Sequence, residues 1–137
     1  MEAIMQSLIS GLPAFMGQSA TTFAILILGV VIYMWITPHK ELALLRAGNV
    51  AAAISFGGAV LGLAIPLAFC LAFSVSVLDI AVWGSVTLVL QLIAFRLVDF
   101  LLKNLSDRIE SGDVAAAIFL LAVKLSTAAV NAAAVSG

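Results

Sequence analysis

Lys124, Thr127 and Asn131 stand three and four residues apart in an otherwise apolar run, so on a helix of about 100° per residue they share one stripe. An ammonium at the head of a hydroxyl and an amide can hold an anion, titrate, or pair with a carboxylate. The preceding apolar run carries a second polar set, Gln91, Arg96 and Asp99. Measured at 1.5 Å per residue, Lys124 begins roughly 16 Å above Asp113, near the middle of a bilayer, whereas Asp99 and Arg96 lie roughly 5 and 9 Å inside the end of their run at Leu102. Helical side chains lean toward their own amino terminus, so on antiparallel helices Lys124 and the Arg96/Asp99 pair lean toward each other. Two arrangements follow. Lys124, Arg96 and Asp99 form a hydrated intramembrane site, net +1 when all three ionise, lined above by Thr127 and Asn131. Alternatively, Asp99 pairs with Lys124, or with Arg96 three residues earlier, and locks helices together.

The elements that must position these residues are membrane spans. Apolar residues make up 64% of the chain and charged residues 9%, and the mean hydropathy is +1.27, outside the range of soluble domains. Hydrocarbon about 30 Å thick needs roughly 20 helical residues. Runs of about Ala20 to Ile36, Val50 to Phe73, Ile80 to Leu102 and Val114 to Val135 meet that need. Open strands are excluded, because lipid cannot satisfy their backbone groups. The predicted class is therefore all-α, a single polytopic membrane domain over 1–137 with four transmembrane helices. Ahead of them, Ile4, Met5, Leu8, Ile9 and Leu12 recur at helical spacing against Glu2, Gln6, Ser7 and Ser10, and Gly11 and Pro13 follow. This predicts a short amphipathic helix on the membrane surface. The first span is too long for a signal-peptide core and has no Lys or Arg before it, so no cleavage is expected.

The segment Gly48-Asn49-Val50-Ala51-Ala52-Ala53-Ile54 returns 64 positions later as Gly112-Asp113-Val114-Ala115-Ala116-Ala117-Ile118. The chain thus reads as two tandem two-helix repeats, approximately 20–73 and 80–137, in one orientation and related by an axis along the membrane normal. In each, Gly48 or Gly112 ends a loop turn and Asn49 or Asp113 caps the next span. Thr37-Pro38 is placed to open the first loop helix and Ser106 to cap the second, with Asp79 capping the outer end of the third span. Lys40, Arg46, Lys103 and Arg108 all fall in the two loops after the first and third spans, which puts those loops in the cytoplasm and both termini outside.

The polar residues mark where the copies differ. Gln91, Arg96 and Asp99 replace Ile27, Ile32 and Trp35, and Lys124, Thr127 and Asn131 replace Val60, Leu63 and Leu67. Gly58 and Gly62 form a small-xxx-small pair whose counterparts are Ala122 and Ser126, a face that packs helices within the chain or between subunits. Pro66 is expected to kink the second span. Ser55 and Gln91 are expected to cross-link helices by hydrogen bonds. Tyr33, Trp35 and Trp83 near span ends fit aromatic belts. Glu41, Asp107 and Glu110 read as solvated, His39 as a surface residue and Cys70 as a small buried hydrophobe.

The paired Gly-Asn/Asp-Val-Ala-Ala-Ala-Ile segments, the preceding Glu41-Leu42-Ala43-Leu44-Leu45-Arg46-Ala47, and the pattern Gly58, Gly62, Pro66 resemble the bacterial Domain of Unknown Function 350 family of YjfL-like inner-membrane proteins. The resemblance covers nearly the whole chain and implies a four-span protein of the bacterial inner membrane. The family brings no established activity or functional residues.

Function must therefore come from the residues. The first expectation is an oligomeric ion channel or small-solute transport protein with a path along Lys124, Thr127, Asn131, Arg96, Asp99 and Gln91, its net positive spans favouring an anion, or a proton if Lys124 titrates. The alternative is a non-conducting membrane scaffold or sensor that recruits envelope partners through its cytoplasmic loops. No enzyme is expected, because there is no catalytic carboxylate pair, His/Cys cluster, metal motif or phosphate loop. No cofactor or metal is expected either. The expected partners are the lipid bilayer, further copies of the chain and a small ion, and the net charge of -1 argues against nucleic acid.

Overall fold

In the computed structural model, which describes residues 1–37 and 41–137, six helices follow one another: α1 (Glu2–Ile36), α2 (Glu41–Arg46), α3 (Val50–Phe73), α4 (Val77–Leu101), α5 (Lys103–Glu110) and α6 (Val114–Ser136). Pro38, His39 and Lys40, expected in the first loop, lie outside the described residues. At 1.5 Å per residue α3, α4 and α6 are each about 34 to 38 Å long and α1 about 52 Å, so all four can cross hydrocarbon about 30 Å thick. Their surfaces agree with that setting. Phe23, Leu61, Ile93, Phe100 and Phe119 are exposed, while the buried residues include alanines, glycines and the polar side chains of Ser55, Thr87, Gln91, Asp99 and Lys124.

Small residues decide how closely these helices approach. The repeated Val-Ala-Ala-Ala segments open α3 and α6, and Ala51, Ala52, Ala116 and Ala117 are all buried in one cluster with Val98, Ile109 and Leu120. That makes α3 and α6 the most extensive helix pair. Helix α4 packs on α1, α3 and α6, and α1 on α3 and α4, leaving α1 and α6 at opposite corners. A Cβ on Gly58 would collide with the Leu121 side chain, and one on Gly62 with the Phe95 ring. The expected packing role of Ala122 and Ser126 does not describe this protomer, since both are exposed and the Gly58 contact falls one residue earlier. Pro66 is buried inside α3, which is helical on both sides of it.

The turns behave as the paired motif predicts. Gly48 and Gly112 have φ of 86° and 90°, the left-handed conformation that ends α2 and α5. Asn49 Oδ1 then accepts the Ala52 N–H and Asp113 Oδ1 the Ala116 N–H, capping α3 and α6. The Asn49 amide also donates to the carbonyls of Ile109 and Glu110, tying the first turn of α3 to the end of α5.

Three local expectations change. The chain does not form a separate amphipathic helix before the first span, because α1 runs unbroken through Gly11 and Pro13. The carbonyl that Pro13 leaves without a partner, on Ile9, lies in a fully exposed turn, where outside groups can reach it. Ser106 does not cap α5. That helix starts at Lys103, drawn forward by burial of Leu102, Leu105 and Ile109 against the alanine cluster, and Ser106 falls inside it. Helix α4 is capped by Ser76, whose Oγ accepts the Asp79 N–H, while Asp79 reaches back to the Val75 N–H. Thr37 closes α1, donating its hydroxyl to the Tyr33 carbonyl.

Candidate functional site

Lys124 lies on the face of α6 turned into the bundle and is 1% exposed. Its ammonium stands 3.2 Å from Asp99 Oδ1 on α4 and donates to the Tyr33 hydroxyl of α1 at 2.9 Å. It also sits 4.9 Å from the centre of the Tyr33 ring and 5.2 Å from that of Phe95, positions that add cation–π attraction. Tyr33 in turn donates to Glu41 Oε1 at 3.0 Å, and the Ser55 hydroxyl lies 3.5 Å from the same oxygen. A continuous polar chain, Lys124 to Tyr33 to Glu41, therefore runs toward the end of the bundle that carries α2 and α5, with Asp99 beside its head.

Each member owes its place to local structure. Gly62 lets Phe95 and the Lys124 backbone come close to α3, which brings the lysine within reach of both α4 and α1. Asp99 is two residues from the end of α4 and leans inward, as its helix direction dictates. The left-handed turn at Gly48 folds α2 back beside α3, and Glu41, at the start of α2, is brought over Tyr33.

Behind Lys124 a second polar layer continues along the same stripe. The Thr127 hydroxyl donates to the Lys124 carbonyl at 2.8 Å, the Gln91 amide donates to Thr127 Oγ1 at 3.4 Å, and the Asn131 amide donates to Gln91 Oε1 at 3.1 Å and to the Thr87 carbonyl at 3.3 Å. Gln91 and Thr87 are buried. An outward-facing groove of about 540 Å³ between α4 and α6 is lined by Gln91, Ser126, Thr127 and Asn131 among apolar residues. A cavity of about 310 Å³ at the α5 end reaches Asp99, and one of about 300 Å³ at the opposite end is lined by Cys70, Ser74, Asp79 and Trp83.

The structure thus joins Lys124 to Asp99 and places Thr127, Gln91 and Asn131 in the adjoining layer. Arg96 is exposed and lines the α5 cavity, outside the buried cluster. The expected triad of Lys124, Arg96 and Asp99 is accordingly replaced by Lys124, Asp99, Tyr33 and Glu41. Glu41, read from sequence as solvated, is 3% exposed, and Tyr33, read as part of an aromatic belt, is 1% exposed. Their signal in the sequence is weak: a tyrosine and a glutamate eight residues apart stand at the carboxyl-terminal end of the first span, where belt and loop residues would stand as well. Trp35 and Trp83 are exposed near span ends, as belt residues would be. Among the described residues no three His, Cys, Asp or Glu side chains gather where they could hold a metal ion.

Outside the spans, the Asp113 carboxyl accepts the Ala116 backbone N–H and the Arg108 Nε–H, the latter at 2.7 Å, and these contacts hold it below the usual carboxylate range.

The profile of the Domain of Unknown Function (DUF350) matches residues 7–135, from the first third of α1 to the last turn of α6. The UPF0719 inner membrane protein YjfL of Escherichia coli (strain K12) is 35% identical over 126 residues, which cover 92% of this chain and 96% of that protein. The protein of the same name from Escherichia coli O157:H7 matches to the same degree. No solved structure matches the chain. A likeness that spans nearly all of both chains, and here takes in all four long apolar helices with the short helices between them, makes this protein a member of the Domain of Unknown Function 350 family.

Proposed function

We propose that this chain is a transport protein of the bacterial inner membrane, passing a small ion or solute along the polar track centred on Lys124 and Asp99. The observation that carries the proposal is an ammonium 1% exposed, in a helix long enough to span lipid, on a polar track with cavities near both ends. Intramembrane ionisable residues are expensive and mark ion or proton pathways. The charge of the cluster alters the expected selectivity. With Arg96 outside it and Glu41 inside, the described cluster contains one ammonium and two carboxylates, which removes the excess of positive charge that favoured an anion and favours a proton or small cation. The groove along Gln91, Thr127 and Asn131 opens sideways from the protomer, so a second copy covering it would complete the path; the working form is a homo-oligomer.

In this reading the two halves are tandem copies of one hairpin, about 20–73 and 80–137, and the second copy acquired the polar residues. The loops with Arg46, Lys103 and Arg108 face the cytoplasm and both termini the periplasm. The protein performs no enzymatic step. Purified protein in liposomes should pass protons or a small cation faster than it passes anions. Absence of flux from folded protein for all tested ions would defeat the proposal.

A second reading is favoured by the closeness of the Lys124 contacts. Its partners Asp99 and Tyr33 belong to the same protomer, as a lock between helices would require. The protein would then be a scaffold or sensor that docks acidic lipid or envelope partners through exposed Lys103, Asp107, Arg108 and Glu110. Loss of flux on removing the Asp99–Lys124 pair, in a protein that still folds, separates the first reading from the second.

A further inference from the structure

We infer that the cavity beside α5 is a hydrated port through which protons reach Asp99 from the α5 end of the bundle. The inference rests on the transport reading and names its ion and its side of access. Two buried side chains define the inner end of the cavity: Asp99, 6% exposed, and Ser106, 3% exposed. Neither Asp99 oxygen nor Ser106 Oγ has a hydrogen-bond partner among the described residues, although Lys124 pairs electrostatically with Oδ1. Buried oxygens left in this condition bear their whole desolvation penalty. Their chemistry specifies what relieves it. Asp99, when ionised, only accepts hydrogen bonds and Ser106 both accepts and donates, so the occupant must donate to one and bond either way to the other.

Electrostatics then selects among donors. The lining of the cavity carries Arg96 and Lys103 against Asp107 and Glu110, and Asp99 is offset by Lys124. Among the described residues these formal charges cancel, which favours neither a bare cation nor an anion, and water is the donor that fits. A volume of about 310 Å³ has room for several waters at about 30 Å³ each.

Water at Asp99 makes it the group that exchanges protons. A hydronium in the port breaks one O–H bond, the proton bonds to Asp99 Oδ2, and a neutral water remains. Lys124 keeps its ammonium but loses its counter-charge. Among the described residues, the titratable and charged groups around Asp99 are then Lys124 from α6, Tyr33 from α1 and Glu41 from α2, with Arg96, Lys103, Asp107 and Glu110 around the port; α3 contributes the uncharged Ser55. Protonation thus removes the nearer carboxylate's charge and leaves the ammonium with the Tyr33 hydroxyl and, beyond it, the Glu41 carboxylate.

Thiol accessibility tests the port without measuring transport. In a Cys70→Ala background, which removes the chain's one cysteine, Ser106→Cys in sealed vesicles should react with a water-soluble, membrane-impermeant methanethiosulfonate from one face only. It should do so at least about tenfold faster than Ala59→Cys, a buried position off the cavity. Reaction no faster than Ala59→Cys overturns the port even if the protein conducts. Reaction at the expected rate upholds it even if no flux is found. As a check that needs no cysteine, the infrared carbonyl band of a protonated Asp99, assigned by its loss in Asp99→Asn, should appear and disappear as bulk pH is changed. A band indifferent to bulk pH also overturns the port.

Discussion

Lys124→Met removes an ammonium that meets four groups: the Asp99 carboxylate at 3.2 Å, the Tyr33 hydroxyl at 2.9 Å, and the rings of Tyr33 and Phe95, whose centres lie at 4.9 and 5.2 Å. Methionine has nearly the same length, so little volume is lost and the effect is electrostatic. The carboxylate left behind is 6% exposed and already without hydrogen-bond partners among the described residues. Removing one member of a buried pair costs about 3 to 5 kcal/mol, whereas replacing both by apolar residues is often neutral. Lys124→Met should therefore destabilise by about 3 to 5 kcal/mol, and Asp99→Leu by about 3 kcal/mol, the low end, because the lysine keeps Tyr33 and the two rings. The double variant Asp99→Leu/Lys124→Met should fall within about 2 kcal/mol of the parent, a coupling of at least about 4 kcal/mol. Reversible unfolding in mixed micelles, followed by helical circular dichroism, measures all four proteins. Additive single effects, or a Lys124→Met protein as stable as the parent, would refute the buried pair.

Other perturbations test the framework around it. Gly62→Ala places a Cβ 2.6 Å from Phe95 Cζ and should cost about 1 to 3 kcal/mol in the same unfolding assay. Gly57→Ala, with nothing within 4 Å of its Cβ, should gain about 0.5 to 1 kcal/mol. Asn49→Ala removes the α3 cap and the bonds to Ile109 and Glu110, and should cost about 1 to 2 kcal/mol, read as a lower thermal midpoint. The Asp113 carboxyl is held below its unfolded range, so its contribution to stability is present above the unfolded carboxylate pKa and is lost as pH falls through the lower folded value. Asp113→Asn should accordingly lower stability in the neutral region, where that contribution is present, and change it little below the folded value, so that the acid limb of the stability profile flattens.

How far the sequence speaks can be followed residue by residue. Lys124 is conspicuous because hydropathy is a local property and one charge in a long apolar run breaks it. Its pairing with Asp99 follows from depth and helix direction. The caps at Asn49 and Asp113 and the left-handed glycines 48 and 112 are equally local and were legible. Tyr33 and Glu41 were not. A tyrosine near a span end and a glutamate in a short charged loop carry the same local signature whether they face a headgroup or a buried lysine 91 positions away. Arg96 illustrates the complementary limit: three residues from Asp99 is about 60° around a helix, enough to put one side chain in the core and the other outside. The stripe of Ala122 and Ser126 likewise has a packing face's composition but lies outside this protomer's core. Continuity of α1 through Pro13 escaped because a proline is read as a stop from its missing donor, whereas an exposed turn tolerates the loss.

The most direct test of transport through the Asp99–Lys124 site is dissipation of an imposed pH gradient in liposomes, with a potassium ionophore clamping the voltage, for parent protein and for Asp99→Leu/Lys124→Met at equal insertion and oligomeric state. The account predicts gradient collapse with the parent protein and retention with the double variant. Equal rates for both proteins, or a gradient that folded parent protein leaves intact, would contradict it.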